Sequence, residues 1–127
     1  MYEIKIIKVN PSKIAEVISE EIIVNTVDDI LDLMGNLYSE NVTNMILYAH
    51  NFPERFFDLK TKFAGEILQK FSNYHIRLAI IGDFGKFSSD SLHAFIRESN
   101  KGNQIFFVPD RTSAINRLAK NEKSIIL

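Results

Sequence analysis

Two apolar runs flank an amphipathic helix in the middle of the chain: Met45-Ile46-Leu47-Tyr48-Ala49, then the helical stretch from Phe63 to Tyr74, then Leu78-Ala79-Ile80-Ile81. Strands that read as continuous apolar runs are covered on both faces, and a helix between two of them describes a βαβ unit with parallel strands. An α/β fold follows, and the rest of the chain extends this sheet or shields it. In the helix, Phe63, Ala64, Ile67, Leu68, Phe71 and Tyr74 fall on the inward stripe, while Lys62, Glu66, Gln69 and Lys70 face water. Glu66 and Lys70 form a well-oriented i,i+4 pair. Gly65 costs about 1 kcal/mol in a helix interior, so it is expected to permit a close backbone approach.

Taken in order, residues 2–9 alternate, with Ile4, Ile6 and Val9 inward and Lys5 and Lys8 outward, as in a half-buried strand at or near an edge. Asn10-Pro11-Ser12-Lys13 is turn chemistry, and Ile14 to Ile18 reads as the second strand of a hairpin. The piece from Glu20 to Val24 fits a strand end or a loop. Thr26, followed by Asp28 and Asp29, opens a helix whose stripe is Val27, Ile30, Leu31, Met34, Leu37 and Tyr38. Pro53 suits the first turn of a short helical piece, and Asp58 and Thr61 both offer caps for the helix that follows. Ser88 or Ser89 caps a helix carrying Leu92, Phe95 and Ile96, closed by Gly102 in the left-handed conformation. Ile105 to Val108 is a last buried strand. Asp110 or Thr112 opens a terminal helix with Ala114, Ile115 and Leu118 inward, fraying from Glu122. The order is β-β-α-β-α-β-α-β-α in a single domain over residues 1–127, with a mostly parallel sheet and an antiparallel first strand.

Composition excludes several classes. With 15 Lys and Arg against 16 Asp and Glu, the net charge of -1 leaves no electrostatic footprint for nucleic acid. The absence of cysteine removes disulfides, thiol chemistry and thiolate metal sites. No apolar run approaches the ~20 residues of a membrane span, and the N-terminus lacks a signal-peptide pattern, so a cytoplasmic protein is expected. Neither a cofactor nor a metal is implied: His75 and His93 have no ligand spacing with another His.

In an open parallel sheet, ligands bind beyond the carboxyl ends of the strands. His50, Asp83 and Asp110 end strands, and Asp58, Lys60 and Thr61 lie on an intervening loop. A ligand rim of His50, Asp58, Lys60 and Asp83, serving a small-molecule sensor or enzyme, is one reading. The plainer one makes Asp83 and Asp110 turn and capping residues and His50 a hydrogen-bonded group at the edge of the core. Gly82-Asp83-Phe84-Gly85-Lys86 lacks the spacing of a Walker A loop.

The words Phe-Phe-Asp-Leu-Lys-Thr (56–61), Ala-Gly-Glu-Ile-Leu-Gln-Lys-Phe-Ser-Asn-Tyr (64–74), Leu-Ala-Ile-Ile-Gly-Asp-Phe (78–84) and Glu-Ser-Asn-Lys-Gly-Asn-Gln-Ile-Phe-Phe-Val (98–108) resemble a bacterial family known as domain of unknown function 4180. More distantly, the element order resembles the STAS domain of sulfate transporters and anti-sigma factor antagonists. There a strand leads to a helix N-terminus presenting a hydroxyl that a kinase phosphorylates. Laid on this chain, the strand is Met45–Ala49 and the hydroxyl is Thr61, although Asp58-Leu59-Lys60-Thr61 departs from the STAS word Asp-Ser-(Ser/Thr)-Gly. The resemblance implies a non-enzymatic regulatory or protein-interaction module with Thr61 as candidate phosphoacceptor. Phe52, Arg55 and Phe56 are the candidate partner surface, unless the phenylalanines form a buried lid. The expected partner is another protein, not nucleic acid or membrane, and a homodimer remains open.

Overall fold

The computed structural model describes residues 1–9 and 11–119. Among these, the elements run β1 (Glu3–Lys8), β2 (Lys13–Ile18), α1 (Val27–Leu37), β3 (Asn44–Tyr48), α2 (Phe63–Asn73), β4 (Arg77–Ile81), α3 (Asp90–Lys101), β5 (Ile105–Val108) and α4 (Arg111–Ala119). This is the expected order. The turn residue Asn10 and the predicted fraying from Glu122 lie outside the described residues. The five strands form one sheet in sequence order; β1 is antiparallel to β2, and β2 through β5 are parallel. The stretch from Glu20 to Val24 is a loop.

Strand order equal to sequence order has a direct consequence. Right-handed crossovers that always step the same way put every connecting helix on the same face. Accordingly α1, α2 and α3 pack against Ala15, Val17, Met45, Leu47, Leu78, Ile80, Ile105 and Phe107. The alternate residues Ile14, Ile46, Ala79, Ile81, Phe106 and Val108 face the other way, where α4 covers them with Ala114 and Leu118. Coverage on both faces is why β3, β4 and β5 read as unbroken apolar runs.

The helix caps follow local chemistry. Thr26 and Asp29 form a capping box at α1, Ser89 accepts from the Leu92 amide at α3, and Asp110 accepts from the Ser113 amide at 2.8 Å to open α4. That bond holds the Asp110 carboxyl below its usual range.

Three expectations are corrected. Tyr38 and Tyr74 are not on inward stripes but 88% and 59% exposed. Tyr38 begins a 3₁₀ turn after α1, and Tyr74 is the capping residue after α2, so the chain has left the helical period at both. Leu33 fills the α1 stripe instead. Gly102 is extended (φ -86°, ψ -159°) rather than left-handed, and α3 closes by its N–H donating to the Ser99 carbonyl. Gly65 meets no close neighbour: a Cβ there would have nothing within 4 Å.

The close approach occurs at Gly82 instead, where a Cβ would lie 2.6 Å from the Ala49 Cβ and 3.0 Å from the Phe84 ring. The two glycines should therefore respond to alanine in opposite senses. Gly82→Ala is expected to lose roughly 1–3 kcal/mol by overpacking, whereas Gly65→Ala gains up to about 1 kcal/mol of helix propensity. Urea denaturation midpoints of the two variants check both signs.

Candidate functional site

At the carboxyl end of the sheet, on the α4 face, a carboxylate sits inside an apolar strand. Glu16 in β2 is 3% exposed. It accepts from Arg111 Nε at 3.0 and 3.2 Å through its two oxygens, and from the Tyr48 hydroxyl at 2.6 Å. Tyr48 ends β3 and Arg111 opens α4, so the cluster joins two strands to the helix above them. Burying a carboxylate is costly unless it is paired and hydrogen-bonded, and here both conditions hold. Burial, reinforced by the hydrogen bond to Glu16 and the charge of Glu16, pushes the Tyr48 phenol up to about 12, with Arg111 acting in the opposite sense. Tyr48 is thus held as a hydrogen-bond donor. Its ring stacks on His50 with centroids 5.6 Å apart.

Of the predicted rim residues, His50 and Asp58 are engaged in local hydrogen bonds. His50 is exposed and its Nε2 lies 2.7 Å from the Ser19 carbonyl; since a carbonyl only accepts, Nε2 is the donor. Beside it, buried Asn51 donates to the Ser19 and Glu21 carbonyls and accepts from the Tyr48 amide, pinning the loop after β2 to the end of β3. Asp58 accepts from the Lys60 amide, closing a turn, and both residues are exposed. Asp83 lines a shallow cavity with Phe84, Phe107 and Pro109 that His50, Asp58 and Lys60 do not share. Among the described residues no cluster of three His, Asp or Glu is placed to hold a metal ion.

The segment between β3 and α2 folds as short 3₁₀ turns, Ala49–Asn51, Glu54–Phe57 and Leu59–Thr61. They turn the phenylalanines inward: Phe52, Phe56 and Phe57 are 4%, 1% and 8% exposed. Phe52 and Phe56 pack ring to ring at 4.2 Å, so neither is an exposed partner anchor; they are a lid on the core. Arg55 is exposed, but its guanidinium lies 4.4 Å over the Phe63 ring and donates to the Asn25 carbonyl and side chain. Thr61 Oγ1 donates to the Arg55 and Asp58 carbonyls at 2.7 and 2.8 Å and accepts from the Phe63 amide. A phosphate there would remove the donor and set its charge against two carbonyl oxygens. α2 itself begins after Lys62, whose left-handed backbone (φ 66°) redirects the chain.

A different concavity lies at the opposite end of the sheet, between the C-terminal ends of α1 and α2. Leu31, Met34, Val42 and Ile76 line it together with the exposed Tyr38 and Tyr74, and its volume is about 440 Å³. No carboxylate, imidazole, guanidinium or amine is among its lining residues. Sequence reasoning missed both this groove and the Glu16 cluster. The signal for the cluster was present: a lone carboxylate within Ile14-Ala15-Glu16-Val17-Ile18. The groove gave none, because both tyrosines extend apolar stripes.

Three measurements probe these bonds. Arg111→Ala leaves the Glu16 carboxylate without its counter-ion and should cost roughly 3 kcal/mol, the low end for a broken buried pair because the Arg111 side chain is 45% exposed. The Tyr48 contribution is complete below the usual tyrosine pKa of 10 and is lost as pH rises toward about 12. Tyr48→Phe should flatten that alkaline fall in stability, read by denaturation at pH 9 through 12. At the loop, Thr61→Ser should keep its bonds, whereas Thr61→Val should lose about 1 kcal/mol; thermal melts compare them.

No curated protein and no solved structure matches the chain significantly. A family model described as a domain of unknown function (DUF4180) matches residues 9–118. That span runs from the first hairpin to α4 and takes in the Glu16 cluster, the phenylalanine lid and the groove, so the chain belongs to the DUF4180 family.

Proposed function

We propose that the protein is a non-enzymatic interaction module that takes an uncharged, aliphatic segment of another protein into the groove between α1 and α2. The observation carrying this reading is the groove itself, an apolar trough with two exposed tyrosines at its edge. Tyrosines offer large rigid contact area with one polar tip, and interface centres are enriched in them and depleted of charge. A charged segment would be desolvated there without a counter-charge. Chemistry is disfavoured because no carboxylate, imidazole or amine lines the groove, while at the other end of the sheet Glu16, Tyr48 and Arg111 satisfy one another. The reading keeps the interaction role implied by the STAS resemblance but moves the surface from the Phe52–Phe56 segment to the α1–α2 end.

The test is a pair of substitutions on exposed positions. Tyr38→Ala and Tyr74→Ala together should leave stability nearly unchanged, within about 0.5 kcal/mol for each. They should weaken binding of a short uncharged Leu/Ile-rich peptide by at least about tenfold, as expected for losing interface aromatics. Amide and methyl NMR shifts on adding that peptide should concentrate at Leu31, Met34, Val42 and Ile76. Shifts at the Glu16 end instead, or binding indifferent to both substitutions, would overturn the assignment.

A further inference from the structure

The sheet has two edges, β1 and β5, and the fold treats them differently. The β5 edge is closed by side chains from α3. The Asn100 amide donates to the Phe107 carbonyl at 3.1 Å and accepts from the Phe107 N–H at 2.8 Å, as a neighbouring strand would. Ser99 Oγ donates to the Ile105 carbonyl at 2.8 Å. Among the described residues, β1 has no such cover. Beyond its pairing with β2, its backbone makes no hydrogen bond among the described residues. Its Ile4, Ile6 and Ile7 are only half-buried, although six consecutive residues form regular strand.

An open edge of this kind is a template for another strand, and natural proteins either blunt it or use it. We infer that β1 pairs antiparallel with β1 of a second copy of this chain, continuing the sheet across a two-fold axis at Ile4. The choice of occupant and of register comes from the charges. Ile4 and Ile6 lie on the face of Val17 and Ala15, their partners in β2, and Glu3 and Lys5 lie on the other face. A two-fold axis at Ile4 sets Ile4 against its own copy and Tyr2 against Ile6, making a continuous apolar band. On the opposite face the same register sets Glu3 of each copy against Lys5 of the other. Opposite charges directly across an antiparallel pair are favourable, and like charges are not. An axis at Lys5 would oppose two lysines, and an axis at Ile6 would set Ile4 against Lys8. The alternation of β1 is thus self-complementary in the Ile4-centred register, as a symmetric interface requires.

Sedimentation equilibrium on the full chain tests this. The expected result is a dimer of the 14.6 kDa chain at micromolar concentration. Lys5→Glu and Glu3→Lys, each alone, place like charges opposite one another twice per dimer and should weaken association by about tenfold. The double swap Glu3→Lys/Lys5→Glu should restore it, which a merely misfolded variant would not do; circular dichroism confirms each variant folds. A chain that stays monomeric at hundreds of micromolar overturns the inference. So does a dimer unaffected by the single reversals, or one not rescued by the double swap.

Discussion

The handedness of parallel crossovers is the constraint from which the rest of this structure follows. Because the strands lie side by side in sequence order, α1, α2 and α3 are all sent to one face. The second face is just as apolar, and among the described residues its helical cover is α4. One short helix, packed chiefly on β4 and β5, must therefore be held accurately in place. Its two ends are held by polar contacts of different kinds. At its start, Arg111 reaches Glu16 on β2; near its end, Arg77 at the head of β4 donates to the Leu118 carbonyl at 3.1 Å and the Arg117 carbonyl at 3.3 Å. The second contact places a cation where the helix dipole is negative, and the first sets the direction in which the helix lies.

The same logic explains how the polar groups at the strand ends are used. In open α/β sheets this is where ligands usually sit. Here the position is occupied by contacts that hold the fold: the Glu16 cluster on one face, Asn51 fastening the loop after β2, and the phenylalanine turns over the other face. Apolar surface is left open at the other end, where α1 and α2 both stop and their closing tyrosines stand in solvent. A groove formed where two helices end can accept a side chain without disturbing the sheet.

Much of the architecture was legible because it rests on local chemistry and on period. The strands β3 and β4, the α1 capping box, the Ser89 cap and the position of Asp110 at the start of α4 all follow from residues near one another in sequence. So does the direction of β2 through β5, since a helix between two buried strands forces a parallel crossover. Periodicity failed at its ends. It carried Tyr38 and Tyr74 onto stripes that the chain had already left, and a helix stops where its capping geometry says, not where the apolar pattern does.

Sequence by itself determined the α/β class, the order of elements and the core-facing stripes within strands and helix interiors, because burial alternates with period 2 in strands and 3.6 in helices regardless of what lies opposite. Only tertiary structure decided which groups meet. Glu16 and Arg111 are 95 positions apart, and nothing local in either sequence names the other. The close approach at Gly82 depends on Ala49 from a different strand end, and the burial of Phe52, Phe56 and Phe57 depends on α2 lying beneath them. Contacts between distant residues are set by how the elements stack, and that stacking is fixed by the sheet order and its handedness, not by any one segment.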